Sequence, residues 1–135
     1  MAVPRTNRSS RQRTDRGSSV VEFVITMPGL LLAVLLTVQV GLWQHARHVA
    51  LAAAQQGARA AREYTGTAEA GRRQAEDYLT ALAPTLLSPR EVTAERTATV
   101  ATVRVRGRVT SVLPWLAVSV AETSSGPVER FVPSP

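Results

Sequence analysis

A long uncharged and mostly apolar run lies in the first third of the chain. Residues 23–43 contain no charged side chain over 21 positions. At about 1.5 Å per helical residue, such a run matches the ~30 Å hydrocarbon thickness of a bilayer. A core helix of a soluble protein normally has charges interrupting its apolar face. The run therefore predicts a membrane-spanning helix, and Pro28 near its start is expected to kink it.

The helix is expected to continue beyond this run to about Tyr64, because the following residues are rich in alanine and contain no proline. Small residues recur there every three or four positions, which places them on one helical face. They are Ala46, Ala50, Ala53, Gly57 and Ala60. A stripe of this kind allows another helix to approach closely, although alanine is also simply a good helix former. The sequence leaves both explanations open.

A second helix is predicted from Thr67, whose hydroxyl can cap its N-terminus, to Ala83 before Pro84. One apolar face is expected on it, followed by a connector at residues 86–89 that contains the second of two prolines. The predicted face comprises Ala75, Tyr78, Leu79, Leu82 and Leu86.

The hydrophobic period changes from Val92 onward. In residues 103–109, valines and Gly107 alternate with Arg104, Arg106 and Arg108, which predicts a strand with one buried and one solvent-exposed face. Residues 115–121 predict a second strand, and the tail from residue 122 is rich in turn formers. We expect two to three antiparallel strands packed on the second helix. The predicted fold class is α+β, with a long N-terminal helix that crosses the membrane and extends outside it.

Positive charge is concentrated before Gly17. Five arginines and one acid there give +4 of the net charge of +6, and the chain has no lysine. The unpatterned polar sequence predicts a disordered basic leader at residues 1–17. Residues 18–64 are the predicted helix with its extension, and residues 65–135 are a small α+β head with a flexible C-terminal tail. Arginine-rich flanks stay in the cytoplasm, which predicts a cytoplasmic N-terminus and an extracytoplasmic head.

The sequence offers little for catalysis or cofactor binding. The chain has no cysteine, which excludes disulfides and thiolate chemistry. His45 and His48 stand three apart but lack a third metal ligand nearby, so no metal site is predicted. The arginines of the predicted strand lack the interleaved aromatic residues of a single-strand binder, and no nucleic-acid partner is expected. We predict neither enzymatic activity nor a cofactor.

One short motif joins the basic leader to the apolar run. Gly17 is followed by Ser18, and Glu22 stands five residues after the glycine, at the mouth of the uncharged run. A carboxylate at a bilayer edge is costly unless it is paired, which makes Glu22 a candidate functional residue. The arrangement resembles the type IV prepilin signal, in which a membrane peptidase cuts after the glycine.

The resemblance extends over residues 16–62. This segment is similar to the TadE-like family of pilus assembly proteins in three features. They are a glycine with a glutamate five positions on, Pro28 in the first part of the span, and the Gly-Ala-Arg-Ala-Ala motif from Gly57. Members of that family are minor pilins or pseudopilins of the Flp/Tad tight-adherence system. The resemblance implies cleavage after Gly17 and a new N-terminus at Ser18.

The same resemblance implies a set of partners and a location. They are a prepilin peptidase, other pilins or pseudopilins, the inner-membrane assembly platform and membrane lipid. The Ser18 α-ammonium created by cleavage would meet the Glu22 carboxylate of a neighbouring subunit. The expected location is the cell membrane, with a single pass, and then a surface pilus.

Two other fates of the N-terminal helix are conceivable. The chain can be an uncleaved, signal-anchored envelope protein that presents a small binding domain. Alternatively, residues 50–52 imitate the cleavage site of an ordinary signal peptide. The apolar run is longer than the usual 7–15 residues of a signal peptide, which argues against the second alternative.

Overall fold

The computed structural model describes residues 15–130, with side chains from Ser19 onward. It begins with one long helix, α1, at Asp15–Arg62. Two compact units divide the chain, Met1–Leu36 and Thr37–Pro135. Among the described residues, the first unit contains only the N-terminal part of α1, and the second contains the remainder of α1 and all other elements. Residues 1–14 of the predicted leader lie outside the described part, and residues 15–17 have a helical backbone.

One further helix and three strands follow α1. They are α2 at Ala68–Leu82, β1 at Leu87–Arg96, β2 at Val100–Val109 and β3 at Val118–Pro127. The strands form one sheet in the order β1-β2-β3, and both neighbouring pairs are antiparallel. The predicted α+β class is confirmed, with its long apolar helix, second helix and small antiparallel sheet.

Helix α2 begins and ends at the predicted capping residues. The Thr67 hydroxyl accepts a hydrogen bond from the Ala70 amide at 3.0 Å, and the Ala83 amide donates to the Leu79 carbonyl at 2.9 Å. In the first turn, Arg72 donates to both carboxylate oxygens of Glu69. This contact lowers the pKa of the Glu69 carboxyl below its usual value.

The inward face of α2 differs in part from its prediction. Ala75 and Leu79 are buried as expected, and Gly71 joins them. Tyr78 and Leu86 are half-buried and pack against the core. Leu82 is 58% exposed, so its assignment to the buried face is wrong. Four residues after Leu79, the buried row of α2 continues at Ala83, which is 4% exposed, so Leu82 lies beside this row rather than in it.

Strand β2 has the alternation that its sequence predicts. Val103, Val105 and Val109 are buried. Arg104, Arg106 and Arg108 are exposed on the outer face of the sheet. Because β2 is the central strand, its inward valines form the middle of the core.

The predicted connector at residues 86–89 is wrong for its last three residues, which begin β1. Leu87 is buried and pairs with Val109 of β2. The register shifts between Leu87 and Arg90, and Pro89 lies at this irregularity with a cis peptide bond to Ser88. Proline is tolerated at such a bulge because no ladder hydrogen bond is needed there. The buried leucine and its partner strand override the local turn signal.

Strand β3 begins and ends later than predicted. Residues 115–117 precede it, and residues 122–127, which were expected to be turn-rich, continue it. Every residue from Val118 to Pro127 has a partner on β2. The pairing with β2, rather than apolar composition, sets the length of this strand.

The core of the second unit is built largely from alanine and valine. The C-terminal half of α1 contributes a row of small residues to it, and α2 and the sheet contribute the rest. The α1 contribution consists of Ala46, Val49, Ala50, Ala53, Ala54 and Ala58. The predicted boundary at residue 65 marks the turn between the helices, whereas the compact unit begins at Thr37.

Polar contacts also join α1 to β3 and to the chain that follows it. The Arg47 Nε atom donates to Glu122 Oε1 at 2.7 Å. Near the end of α1, the Glu129 amide donates to the Arg62 carbonyl at 2.9 Å. The absence of a side chain at Gly126 leaves room for the Arg62 side chain. Helix α1 is therefore fastened to the sheet at two separate levels.

Two glycines bring α1 and α2 into backbone contact. A Cβ atom added to Gly57 would lie 2.5 Å from the Gly71 carbonyl oxygen and 3.2 Å from Val103 Cγ1. A Cβ atom added to Gly71 would lie 2.8 Å from both the Ala61 Cβ and the Gly57 carbonyl oxygen. Neither position can accept a side chain unless the helices move apart.

A Gly57→Ala variant should be less stable than the parent. The added Cβ must displace the backbone of α2 and Val103, a cost of about 1–3 kcal/mol in unfolding free energy. The matched control is Gly41→Ala, on the same helix, where no atom lies within 4 Å of the added Cβ. Denaturant unfolding of the full chain in detergent, followed by circular dichroism, measures both variants. Equal transition midpoints for the two would contradict this packing.

Candidate functional site

The predicted cleavage site and Glu22 all lie on α1, in the first unit. The Gly17–Ser18 bond is in helical backbone. Glu22 is exposed, and its backbone carbonyl accepts a hydrogen bond from the Thr26 hydroxyl at 2.7 Å. Among residues 19–130, its carboxylate has no hydrogen bond or ion pair.

The part of α1 around Glu22 is apolar and uncovered. The most apolar 18-residue stretch of Ser19–Arg62 has no buried residue. By length and composition, α1 is the one helix in the described chain that could cross a membrane. It is continuous through Pro28, which has no N–H to donate to the Val24 carbonyl. A helix bare on all sides is suited to hydrocarbon surroundings rather than to water.

The predicted stripe of small residues lies in the second unit and is used mostly within the chain. Ala46, Ala50, Ala53 and Gly57 are buried, whereas Ala60 is only half-buried. The buried face drifts toward Ala54, Ala58 and Ala61 instead. This drift follows from 3.6 residues per turn, since alternating steps of three and four do not stay on one line. The helix that approaches Gly57 is α2 of the same chain.

Gln39 is a buried polar residue that the sequence pattern does not reveal. It is 3% exposed, and its Oε1 atom accepts hydrogen bonds from the Ser111 hydroxyl and the Val112 amide, both at 2.9 Å. These bonds hold the β2–β3 loop, residues 110–117, against α1. Its position inside an uncharged run was the only sequence signal, because an amide among apolar residues needs a partner.

The histidines of α1 and the arginines of β2 do not form a metal site or a shared binding site in the described residues. His45 and His48 are exposed, and no group of three or more metal-ligating His, Cys, Asp or Glu side chains occurs in residues 19–130. On the outer sheet face, Arg104 donates from Nε to the Thr123 hydroxyl at 3.0 Å. Arg106 and Arg108 make no hydrogen bond or ion pair to the described residues.

Comparison with known families identifies the segment that carries the motif. A family model described as TadE-like protein matches residues 17–59. The chain carries a TadE-like domain. The resemblance predicted from the sequence is thereby confirmed over these residues. No curated protein and no solved structure matches the chain.

The TadE-like domain contains the predicted cleavage glycine, Glu22 and most of the predicted stripe of small residues. It begins at Gly17, includes Glu22, Pro28 and Gln39, and ends two residues beyond Gly57. Together with the apolar helix, it fits a membrane protein associated with a Tad pilus. The family is a pilus component and is not a known enzyme family. Helix α2 and the sheet lie outside the matched residues.

Replacing Gln39 by alanine should free the β2–β3 loop. The part-buried Val112 amide loses its acceptor, which costs about 1–2 kcal/mol, toward the lower end of the penalty for an unpaired donor. Hydrogen exchange of the Val112 amide should become about tenfold faster or more. Gln55→Ala is the control, since Gln55 is exposed on the same helix and bonds to nothing in the described chain. Unchanged protection of Val112 in Gln39→Ala would show that the loop is held by other contacts.

Proposed function

We propose that this chain is a minor pilin or pseudopilin of a Flp/Tad tight-adherence system. The observation that carries the proposal is an uncovered apolar helix within a TadE-like domain that bears one exposed carboxylate, Glu22. The helix anchors the protein in the cell membrane with its N-terminus in the cytoplasm. The α+β head lies outside the membrane, where it meets other pilins. The chain performs no reaction and is itself a substrate.

A prepilin peptidase cuts this protein after Gly17. Support comes from the five arginines that precede the glycine and from the family match that begins at this residue. Cleavage removes most of the chain's net positive charge and leaves the Ser18 α-ammonium at the cytoplasmic edge of the membrane. The mature helix then has an ammonium and a carboxylate four residues apart, near one turn of helix.

Glu22 pairs with the Ser18 α-ammonium of a neighbouring subunit during assembly. A carboxylate at the bilayer edge carries a desolvation cost, which a cation from another chain offsets. Only one pairing register places both charges opposite each other. The pair therefore sets the axial stagger between neighbouring helices, while the assembly platform supplies the subunits. Other pilins or pseudopilins of the same system contribute the neighbouring ammonium.

Cleavage is tested by the intact mass of protein isolated from membranes with and without the prepilin peptidase. We expect the parent chain to begin at Ser18 only when the peptidase is present. Gly17→Leu should keep its leader in both strains. Gly29→Leu is the matched control, because a Cβ added at Gly29 meets no atom within 4 Å and the residue lies away from the cut. A start at residue 1 or 2 in both strains would favour the uncleaved envelope anchor.

The role of Glu22 is tested after cleavage has been verified for each variant. Glu22→Gln removes the charge but keeps the shape, so its recovery in sheared pili or with the assembly platform should fall at least about tenfold, as for loss of a buried ion-pair partner. Glu22→Asp should retain most of that recovery. Glu63→Gln removes an exposed carboxylate near the α1 terminus and should have no effect. Normal recovery of Glu22→Gln would refute the proposed pairing.

A further inference from the structure

The β2–β3 loop is held at the level where the apolar run of α1 ends. Gln39 lies four residues before Trp43, the last residue of the uncharged run, and binds the loop at Ser111 and Val112. Counted from Phe23, the roughly 20 helical residues needed to cross hydrocarbon end near Leu42. With α1 across a bilayer, the Gln39 bonds would therefore hold the loop beside one boundary of the hydrocarbon.

The loop and its surroundings expose apolar side chains at this end of the sheet. Trp115 is 73% exposed and Val112 is 42% exposed. Residues 109–121 contain no charge. The Thr110 amide and hydroxyl donate to the carbonyls of Leu86 and Thr85, at 2.9 and 2.6 Å, which brings the end of α2 to the same place. We call Leu82, Val112 and Trp115 the loop patch.

The loop patch contains most of the large exposed hydrophobic side chains that the second unit has outside α1. Beyond its three members, the described residues add only Tyr64 and Val100. Val100 begins β2, at the opposite end of a ten-residue strand. Exposed apolar surface is thus concentrated at the end of the sheet where α1 leaves the apolar run. An exposed Trp is typical of the membrane interface. There the apolar ring contacts hydrocarbon and the indole N–H can donate to water or headgroups.

Unpaired guanidinium groups lie beside the loop patch on the outer face of the sheet. Arg108 stands one residue before the end of β2, opposite Ser119, and Arg106 lies two residues behind it. They line a concavity of about 410 Å³ together with Arg90, which donates to the Thr80 hydroxyl at 2.7 Å, and Glu91 is the one carboxylate there. Guanidinium groups bind phosphate in a bidentate manner, so this face suits lipid headgroups.

We propose that the loop patch docks the head onto the outer surface of the bilayer, with Trp115 and Val112 in the interface and Arg108 on lipid phosphate. The partner is an anionic phospholipid leaflet. The proposal rests on α1 crossing the membrane, and it requires neither cleavage after Gly17 nor entry into a pilus. Continuity with the apolar run favours lipid over another protein, because the Gln39 bonds hold the loop at the membrane boundary.

Depth-dependent quenching of Trp115 fluorescence tests the docking. The full chain is reconstituted in vesicles of phosphatidylethanolamine and phosphatidylglycerol that carry bromine near the glycerol end of the acyl chains. Trp43→Phe leaves Trp115 as the sole tryptophan, since the chain has two. The matched reporter is Ala98→Trp in a Trp43→Phe, Trp115→Phe background. Ala98 lies in the β1–β2 turn at the opposite end of the sheet.

Docking predicts that bromolipid quenches Trp115 at least about twofold more strongly than the Ala98→Trp reporter, as expected for an interfacial indole. Equal quenching of the two, with Trp115 open to aqueous iodide, would overturn the proposal. Trp115 shielded from iodide but not quenched by bromolipid would also overturn it. In that outcome, dependence on the protein-to-lipid ratio would identify another protein chain as the partner.

The arginine contact has its own matched pair of variants. Arg108→Gln should abolish the increase in Trp115 quenching that phosphatidylglycerol produces over neutral lipid. Arg104→Gln is the control, since Arg104 shares the outer face of β2 but lies farther from the loop and is held by Thr123. The same lipid dependence in both variants would refute the headgroup contact.

Discussion

The approach of α1 and α2 at Gly57 and Gly71 determines how the rest of the head is built. With backbones in contact, both helices can lie on one face of a three-stranded sheet. The space between the layers is then filled by alanine from the helices and valine from β2, with few large side chains. Packing at interior density leaves no room for a side chain at either glycine, so the small residues of α1 are a geometric requirement of the head.

Helix α1 meets two different surroundings along its length. Its first part exposes apolar side chains on every face, as a helix in lipid does, and its C-terminal half buries a row of small residues against protein. The change occurs around Gln39, whose amide oxygen is used by the backbone of the β2–β3 loop. The two bonds to this oxygen replace those that water would make, whereas the buried Nε2 atom has no hydrogen-bond partner among the described residues.

Local sequence was sufficient where the signal came from a cap, a period or a motif. Thr67 and Ala83 limit α2 through bonds to their own helix, and the valines of β2 alternate as any half-buried strand does. The TadE-like segment was recognisable because the glycine, the glutamate five residues after it and the apolar run stand in a fixed order and spacing. The start of β1 and the end of β3 depend on partner residues of β2, which local propensity does not contain. The role of Gln39 likewise depends on tertiary contacts with residues far along the chain, and the exposure of Leu82 depends on which face of α2 the core covers.

The polar fastenings of α1 have a mechanical consequence. Gln39 holds the β2–β3 loop, Arg47 holds Glu122 of β3, and the Arg62 carbonyl holds the chain just after β3. These three points extend over about 35 Å of helix at 1.5 Å per residue. A force along the helix axis would act on these three contacts and on the alanine and valine core at the same time, as a shear force. It would not break the contacts one after another. A subunit drawn by α1 would thus carry its head with it as a rigid load.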